Sequence, residues 1–384
     1  MKPFGFYEFF AGGGMARLGL GARWECLFAN EWCEKKAATY RANFPPAREL
    51  RVDDIWNLEA AAIPGRATLA WASFPCQDLS LAGNGAGLEG SRSGALIKFW
   101  RLMKELKDEG RRIPIIVLEN VVGALTSNGG RDFQAIVKLA RDTGYRIGGL
   151  VIDASLFVPQ SRPRLFLIAV EGNLPKGQMS EVWHPPQMRA AVSESPDWIW
   201  WNVPVPLGQP EDLTRCIEEQ AEWYPGEKTQ RVLAMMSPLH RRKIEHAQRS
   251  GRRVIGTVYK RMRVENGTRV QRAEVRFDGI SGCLRTPAGG SSRQTVIEVK
   301  GPAVRTRLMT PREAANLMGL PKTYQLPERA NETYQLAGDG VAVPVVAWLE
   351  EHLLRPLAVT LSSDAGLSSA PISDRGRASR SVGH

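Results

Sequence analysis

Residues 4–20 read FGFYEFFAGGGMARLGL: an apolar run, three consecutive glycines, and a stretch whose apolar residues recur at helical spacing. This order predicts a β-strand, a tight turn that lets the backbone approach a ligand closely, and an α-helix. Three more apolar runs end abruptly in the next hundred or so residues, before Asn30-Glu31, before Pro75-Cys76 and before Glu119-Asn120.

Helical patterns separate these apolar runs, in WCEKKAATYRANF and GALIKFWRLMKELKDEG for example. Short strands alternating with amphipathic helices are typical of βαβ units, so we predict an α/β fold with a parallel sheet over residues 1–170. Open α/β sheets bind ligands at the carboxyl ends of their strands. The residues that follow the apolar runs are therefore expected to lie together.

The composition is typical of a globular protein large enough for two domains: 384 residues, 43% hydrophobic and 24% charged. The sequence has no signal-peptide pattern and no apolar stretch of membrane length, so we predict a cytoplasmic protein without a membrane partner. The five cysteines contain no C-x-x-C and the five histidines no H-E-x-x-H, which argues against a disulfide framework and a metal site.

Positive charge is concentrated in one segment. The net charge is +11, and residues 231–276 carry 13 Lys or Arg against 3 acidic residues. This excess favours contacts to an acidic polymer, with Arg252 and Arg253 as candidate phosphate contacts; a solvated basic face is the alternative. Residues 171–286 lack the α/β rhythm and are rich in tryptophan, which indicates a second domain with an aromatic core.

The helical pattern returns at TPREAANLMGLP, where Thr310 is the expected N-cap and Glu313 completes a capping box. GDGVAVPVVAWLEEHLL resembles a turn followed by an apolar helix. After Pro356 the Ser, Gly, Ala and Arg content predicts a disordered tail.

The glycine turn and Glu31 together indicate a nucleoside-containing cofactor. Glu31 lies 19 residues after Gly12, at the end of the second apolar run, where a carboxylate accepts hydrogen bonds from ribose hydroxyls. Trp32 beside it is suited to stack on an adenine. Arg17 occupies the place of the last glycine of G-x-G-x-x-G, so the pattern does not specify a nicotinamide cofactor.

Cys76 follows a proline at the end of an apolar run, which suits display of a nucleophilic thiol at a strand tip. No histidine lies near it in sequence, which argues against a cysteine protease. Glu119 ends a neighbouring run, where desolvation raises a carboxyl pKa and favours proton donation. Arg162 and Arg164 add cationic side chains on one side of a strand.

The motif series of the chain resembles that of the DNA (cytosine-5)-methyltransferases, especially the bacterial restriction-modification and orphan type. It comprises FFAGGG at 9–14, NEW at 30–32, DDI at 53–55, FPCQDLS at 74–80, LENV at 118–121, QSRPR at 160–164 and LAGDGVAV at 336–343. Four positions depart from the family pattern: Glu8 replaces an aspartate, Met15 a glycine, Asp339 an asparagine and Gly340 a serine.

The resemblance implies a Rossmann-like methyltransferase fold that uses S-adenosyl-L-methionine, with a smaller, irregular target-recognition domain. It divides the chain into a catalytic domain at 1–170, a target-recognition domain at 171–283, a return segment at 284–356 and the tail at 357–384.

By the same resemblance, Cys76 attacks carbon 6 of a cytosine that is flipped out of the duplex, and Glu119 protonates or hydrogen-bonds ring nitrogen 3. Asn120 places the base, and Arg162 and Arg164 hold the catalytic loop and the pyrimidine oxygen. The implied cofactor contacts are Phe10, Ala11, Gly12, Gly14, Glu31, Trp32, Asp54, Ile55, Pro75, Asp339 and Val341.

The implied partners are double-stranded DNA and a restriction endonuclease that cuts the same site, and the implied state is a monomer in the bacterial cytoplasm or nucleoid. Three alternatives remain open at this point. One is a related enzyme that methylates transfer RNA, another is a nicotinamide-dependent oxidoreductase, and the third is a DNA-binding protein without catalysis.

Overall fold

The computed structural model describes residues 2–75, 94–172, 174–193, 195–208, 212–287 and 293–367. Cys76 lies outside the described residues. No helix in the described part of the chain is long and apolar enough to cross a membrane.

The larger sheet confirms the predicted α/β fold. Its strands are β1 Phe4–Phe9, β2 Trp24–Glu31, β3 Leu50–Val52, β4 Leu69–Ala72, β5 Ile115–Val121, β6 Arg146–Asp153 and β7 Pro163–Val170. Their order is β3-β2-β1-β4-β5-β7-β6. The first five strands are parallel, and β7 runs antiparallel between β5 and β6.

The strands are nearly all apolar because helices cover both faces of the sheet. Along β5, Ile115 and Val117 belong to one buried core, whereas Ile116 and Leu118 belong to the other. The first five helices are α1 Met15–Leu20, α2 Glu34–Asn43, α3 Gly94–Asp108, α4 Arg131–Asp142 and α5 Pro186–Ala191.

A second, smaller sheet follows two helices, α6 Gly226–Ala234 and α7 Pro238–Arg249. Its strands are β8 Arg253–Glu265, β9 Thr268–Arg276, β10 Thr295–Lys300 and β11 Ala303–Leu308, in the antiparallel order β11-β10-β8-β9. Its inner face packs on α6 and α7 through Val232, Ile244 and Val258.

The limits of the second unit differ from those predicted. Residues 295–308, assigned to the return segment, form two of its four strands. Trp183 and Trp201 are buried as expected of core aromatics, but they join the core of the first sheet. The backbone explains this difference, because Val151 N–H donates to the Trp183 carbonyl at 2.8 Å and ties that segment to β6.

The chain then returns to the first sheet through α8 Pro311–Asn316, α9 Ala330–Asp339 and α10 Val343–Leu349. The predicted capping box is confirmed, because Thr310 and Glu313 each accept the other's backbone N–H. A π-helical turn at Glu350–Leu354 leads into α11 Arg355–Leu367, so part of the segment predicted to be disordered is helical. The rest of that tail lies outside the described residues.

Candidate active site

The glycine turn after β1 has left-handed backbone conformations at Phe10 (φ 57°), Gly12 (φ 57°) and Gly14 (φ 78°). The turn is tied to Glu31, whose Oε2 accepts the Gly12 N–H at 2.8 Å. A Cβ added at Gly14 would overlap the Phe44 ring, whereas one added at Gly12 would meet nothing within 4 Å. Gly14 is therefore required for packing, and the space beside Gly12 is open to a ligand.

Glu31 lies at the end of β2, with its residue only 3% exposed. Its second oxygen accepts the Cys33 N–H at 2.8 Å, which fixes the orientation of the carboxylate. Each carboxylate oxygen keeps a lone pair for a further donor. The adjacent Trp32 is 70% exposed, so its ring face is free for stacking. These side chains fit a ribose with an attached base.

The DDI stretch reaches the same edge of the sheet. Asn30 Nδ2 donates to the Asp53 carbonyl at 2.9 Å. Asp54 caps a short 3-10 turn by accepting the Trp56 N–H at 3.0 Å, and Ile55 within that turn is buried. The predicted contacts from the first three strands therefore lie at neighbouring strand ends.

Asp339, at the end of α9, accepts hydrogen bonds from Lys36 Nζ at 2.7 Å and Thr286 Oγ1 at 2.5 Å. Lys36 thus neutralises the negative charge that Asp339 carries and that the family's asparagine at this position would lack. Val341 follows in the buried core, and a Cβ at Gly340 would overlap the sulfur of Met15 in α1. The return segment thus packs directly against the helix that follows the glycine turn.

Glu119 is buried at the end of β5, and its Oε1 lies 3.2 Å from Arg164 Nε. Burial raises the pKa of Glu119, although the positive charge of Arg164 opposes the rise. Arg164 stands in register with Val121 at the start of β7. The sheet therefore places a carboxyl with a raised pKa beside a cation at the same edge.

Asn120 connects this carboxyl to the segment before Cys76. Its Nδ2 donates to the Phe74 carbonyl at 3.0 Å, and its Oδ1 accepts the Val121 N–H at 2.8 Å. Pro75 follows Phe74 on the exposed surface. Phe74, two residues before Cys76, is therefore held beside the strand that carries Glu119.

Arg162 has a different environment from the one predicted. It is 1% exposed, and its guanidinium donates to the carbonyls of Leu284 at 3.0 Å, Gly338 at 2.8 Å and Gly340 at 2.6 Å. Burial lowers its pKa to about 10. Its contacts join β7 to the return segment, whereas Arg164 faces the carboxyl of Glu119.

The family model for C-5 cytosine-specific DNA methylases matches residues 4–355. The chain belongs to this family. It is similar to the Type II methyltransferase M.Bsp6I of Bacillus sp. (strain RFL6), 26% identical over 91% of this chain and 98% of that protein. It is also similar to M.HpaII of Haemophilus parainfluenzae, 26% identical over 93% of this chain and 90% of the relative.

Solved structures of related fold agree with this membership. The Entamoeba histolytica methyltransferase EhMeth superposes with a TM-score of 0.62 at 15% identity, covering 93% of this chain and 99% of that one. The Dnmt2 methyltransferase of S. pombe gives 0.58 at 18% identity with the same coverage. The cytosine-5 methyltransferase fold is therefore confirmed, and a nicotinamide oxidoreductase is excluded by family.

Sequence reasoning missed two residues of this methyltransferase that support the site. Trp71 Nε1 donates to Ser73 Oγ at 3.0 Å, and the Ser73 hydroxyl hydrogen-bonds the Glu119 carboxyl. The only available signal was a hydroxyl residue three positions before Cys76. Tyr324 was also missed; its hydroxyl donates to the Gly13 carbonyl at 2.7 Å and supports the glycine turn from the return segment.

Glu8 of this methyltransferase is buried under the glycine turn. One oxygen accepts the Arg17 N–H at 3.2 Å, and the other has no hydrogen-bond partner among the residues the structure describes. Burial raises the pKa of Glu8 from 4.5 to about 8, so the folded protein holds a proton that the unfolded chain releases. The stability tied to this proton is complete below pH 4.5 and is lost as the pH rises through about 8.

Glu8→Gln is expected to remove this pH dependence. Between pH 4.5 and 8 the free energy of unfolding of the wild type should fall by a few kcal/mol relative to the variant, since one pKa unit is worth about 1.4 kcal/mol. Urea unfolding across this range measures the difference, with the exposed Glu25→Gln as control. Parallel curves for the wild type and Glu8→Gln would show that Glu8 ionises normally.

Proposed function

We propose that this protein transfers a methyl group from S-adenosylmethionine to carbon 5 of a cytosine that is flipped out of a specific duplex DNA site, through a covalent adduct with Cys76. The main support is the arrangement of Glu119, Arg164 and Asn120 beside the segment that enters Cys76. The glycine turn and Glu31 lie at the same edge of the sheet, two and three strands away from β5.

The cofactor would be held by the turn at Phe10, Ala11, Gly12 and Gly14, by Glu31 and Trp32, by Asp54 and Ile55, and by Pro75, Asp339 and Val341. When bound, S-adenosylmethionine supplies an electrophilic methyl group. The open space beside Gly12, the ordered carboxylate of Glu31 and the exposed Trp32 support this fit.

The protein's own groups act on the base. The Cys76 sulfur forms a bond to carbon 6 of the cytosine, while Glu119 gives a proton or a hydrogen bond to ring nitrogen 3. Carbon 5 becomes nucleophilic as a result and would take the methyl group, with S-adenosylhomocysteine as the leaving group. Loss of the carbon-5 proton to solvent, departure of the Cys76 sulfur as a thiolate and return of the nitrogen-3 proton to Glu119 then restore the aromatic ring.

The substrate is proposed to be duplex DNA, because the matching family is that of DNA methylases and the similar curated proteins are Type II methyltransferases. A transfer RNA substrate is therefore not favoured. Flipping the cytosine costs a few kcal/mol that protein contacts must offset. By analogy with Type II systems, a restriction endonuclease that cuts the same site is the proposed biological partner.

A duplex in which the target cytosine is 5-fluorocytosine tests this proposal. Fluorine cannot leave carbon 5 as a proton does, so we expect a covalent protein–DNA species that survives denaturing electrophoresis in the presence of S-adenosylmethionine. Bisulfite sequencing of DNA from cells that express the protein locates the modified cytosines and supplies the duplex sequence.

Two controls define the adduct. Cys76→Ala should give no adduct with the same duplex, and Cys216→Ala, at a cysteine buried far along the chain, should still give one. Methylated cytosine without any trapped species in the fluorinated duplex would contradict covalent addition. An adduct with Cys76→Ala would assign the nucleophile to another residue.

A further inference from the structure

The hairpin of β8 and β9 extends beyond the helices that pack on the second sheet. Near its base, Val258, Ala273 and Val275 are buried against α6 and α7. Farther out the same strands are exposed: Met262 is 57% exposed and Val264 is 70% exposed. Exposed apolar side chains that adjoin one another and are rimmed by polar residues are a mark of interaction sites.

The register of the hairpin assigns each side chain to a face. Side chains alternate along a strand, and residues directly opposite each other share a face. Lys260 stands opposite Ala273, Met262 opposite Gln271 and Val264 opposite Arg269. We call the surface they form beyond the helices the open face. Its members are Lys260, Met262, Val264, Arg269 and Gln271.

The opposite face has its positive charges already paired. Arg263 Nε lies 2.7 Å from Glu274 Oε1, and Arg272 Nε lies 2.7 Å from Glu265 Oε1. Arg261 lies over the Tyr259 ring at 4.5 Å and within 4.0 Å of Glu274. Glu265 and Glu274, the two carboxylates of the hairpin strands, therefore both form ion pairs on this face.

Arg253, at the base of β8, is paired as well. It donates to Glu219 at 2.8 Å and to Glu298 at 2.6 Å, so it is not a free phosphate contact as the sequence suggested.

The positive charges of the open face are not neutralised by ion pairs within the described residues. Neither Lys260 nor Arg269 has an acidic partner within the ranges that the structure describes. Lys260 and Val264, the residue opposite Arg269, are four positions apart on a strand, a span of about 13 Å at ~3.3 Å per residue. This is close to the roughly 12 Å width of the major groove of DNA, which accommodates a two-stranded β-ribbon.

We propose that the open face lies in the major groove of duplex DNA, with Lys260 and Arg269 on phosphates and Met262 and Val264 against base edges. The inference rests on the proposed function for the identity of the polymer. The charge arrangement distinguishes DNA from an apolar partner, because the exposed apolar pair is flanked by unneutralised cations and lacks any acid.

The salt dependence of binding tests the proposal. We would measure the affinity of the full chain for a fluorescein-labelled duplex of mixed sequence by anisotropy, over a range of salt concentrations. Removing one cation that binds a phosphate lowers the slope of log affinity against log salt by about 1. Lys260→Ala/Arg269→Ala is therefore expected to lower the slope by about 2.

The matched control is Arg261→Ala/Arg272→Ala, which removes the same number of positive charges from the paired face of the same strands. We expect it to change the slope by less than half as much. Met262→Ala/Val264→Ala should weaken binding to a duplex containing the methylated site without changing the slope, because the charge stays the same. Circular dichroism checks that each variant remains folded.

Equal slopes for the two charge variants would overturn the proposal, since net charge alone would then explain both. So would an unchanged slope for Lys260→Ala/Arg269→Ala. A change of oligomeric state in Met262→Ala/Val264→Ala, seen by sedimentation velocity, would assign the face to a second copy of the chain. The 5-fluorocytosine adduct separates the two claims: an adduct with no hairpin effect leaves the proposed function intact and rejects only this inference.

Discussion

Glu119→Gln is expected to lower kcat for methyl transfer by about 10²–10⁴-fold, the usual contribution of a positioned proton donor. The Glu119 carboxyl is buried, and burial raises its pKa, which favours a proton donation that an amide cannot perform. Glutamine has the same shape, and its side-chain oxygen can still accept a hydrogen bond from Arg164 Nε. In the wild type that nitrogen lies 3.2 Å from Glu119 Oε1. Single-turnover transfer of a radiolabelled methyl group to duplex DNA measures the effect.

The matched control for this prediction is Glu350→Gln. Glu350 is also buried, and it accepts the Trp24 Nε1–H at 3.1 Å, an interaction that glutamine retains. We expect this variant to keep wild-type kcat and the same affinity for DNA. If Glu119→Gln retained more than a tenth of the wild-type rate, the proposed role of Glu119 as proton donor would be rejected.

Arg162→Met is expected to lower the free energy of unfolding by roughly 3–5 kcal/mol, because each buried carbonyl left without a donor costs about 1–3 kcal/mol. The guanidinium satisfies three backbone carbonyls, at Leu284, Gly338 and Gly340, and methionine satisfies none. Methionine fills similar space without a charge, so part of the cost of burying Arg162 is recovered. Urea unfolding followed by circular dichroism measures the change.

Hydrogen exchange should locate the same effect. Because the Arg162 guanidinium ties β7 to the return segment, amides of residues 336–343 should exchange faster in Arg162→Met than in the wild type. Arg48→Met, at an exposed position, should alter neither measurement. A destabilisation of less than about 1 kcal/mol would mean that water satisfies the freed carbonyls at no greater cost than the guanidinium.

Most of the candidate site could be predicted from sequence because its residues follow directly after apolar runs. A run of buried residues ends where the strand ends, and parallel strands end at one edge of the sheet. Glu31, Glu119 and Asn120 lie at strand ends along one edge of the sheet for this reason. The capping box at Thr310 was equally local, because its two members are one helical turn apart.

The roles of Arg162 and Arg164 could not be separated in the same way. Both belong to the QSRPR motif, yet one guanidinium lies among carbonyls of the return segment and the other lies beside Glu119. Their partners stand far away in the chain: Arg162 and Gly338 are 176 positions apart. The assignment of Arg162 and Arg164 to catalysis stays a prediction, with Arg164 the better placed of the two.

The local order of residues was enough to predict the α/β sheet, the family, the strand-end residues and the capped helix, because strand and helix periodicity and capping act over a few positions. The folded structure was needed to find which positive charges are free. A count gives residues 231–276 a large positive excess. In the fold, Arg253 forms an ion pair with Glu298, 45 positions away. Lys260 and Arg269 have no acidic partner among the described residues. Charge is a property of each residue, but its neutralisation depends on which distant residues the fold brings within a few ångströms.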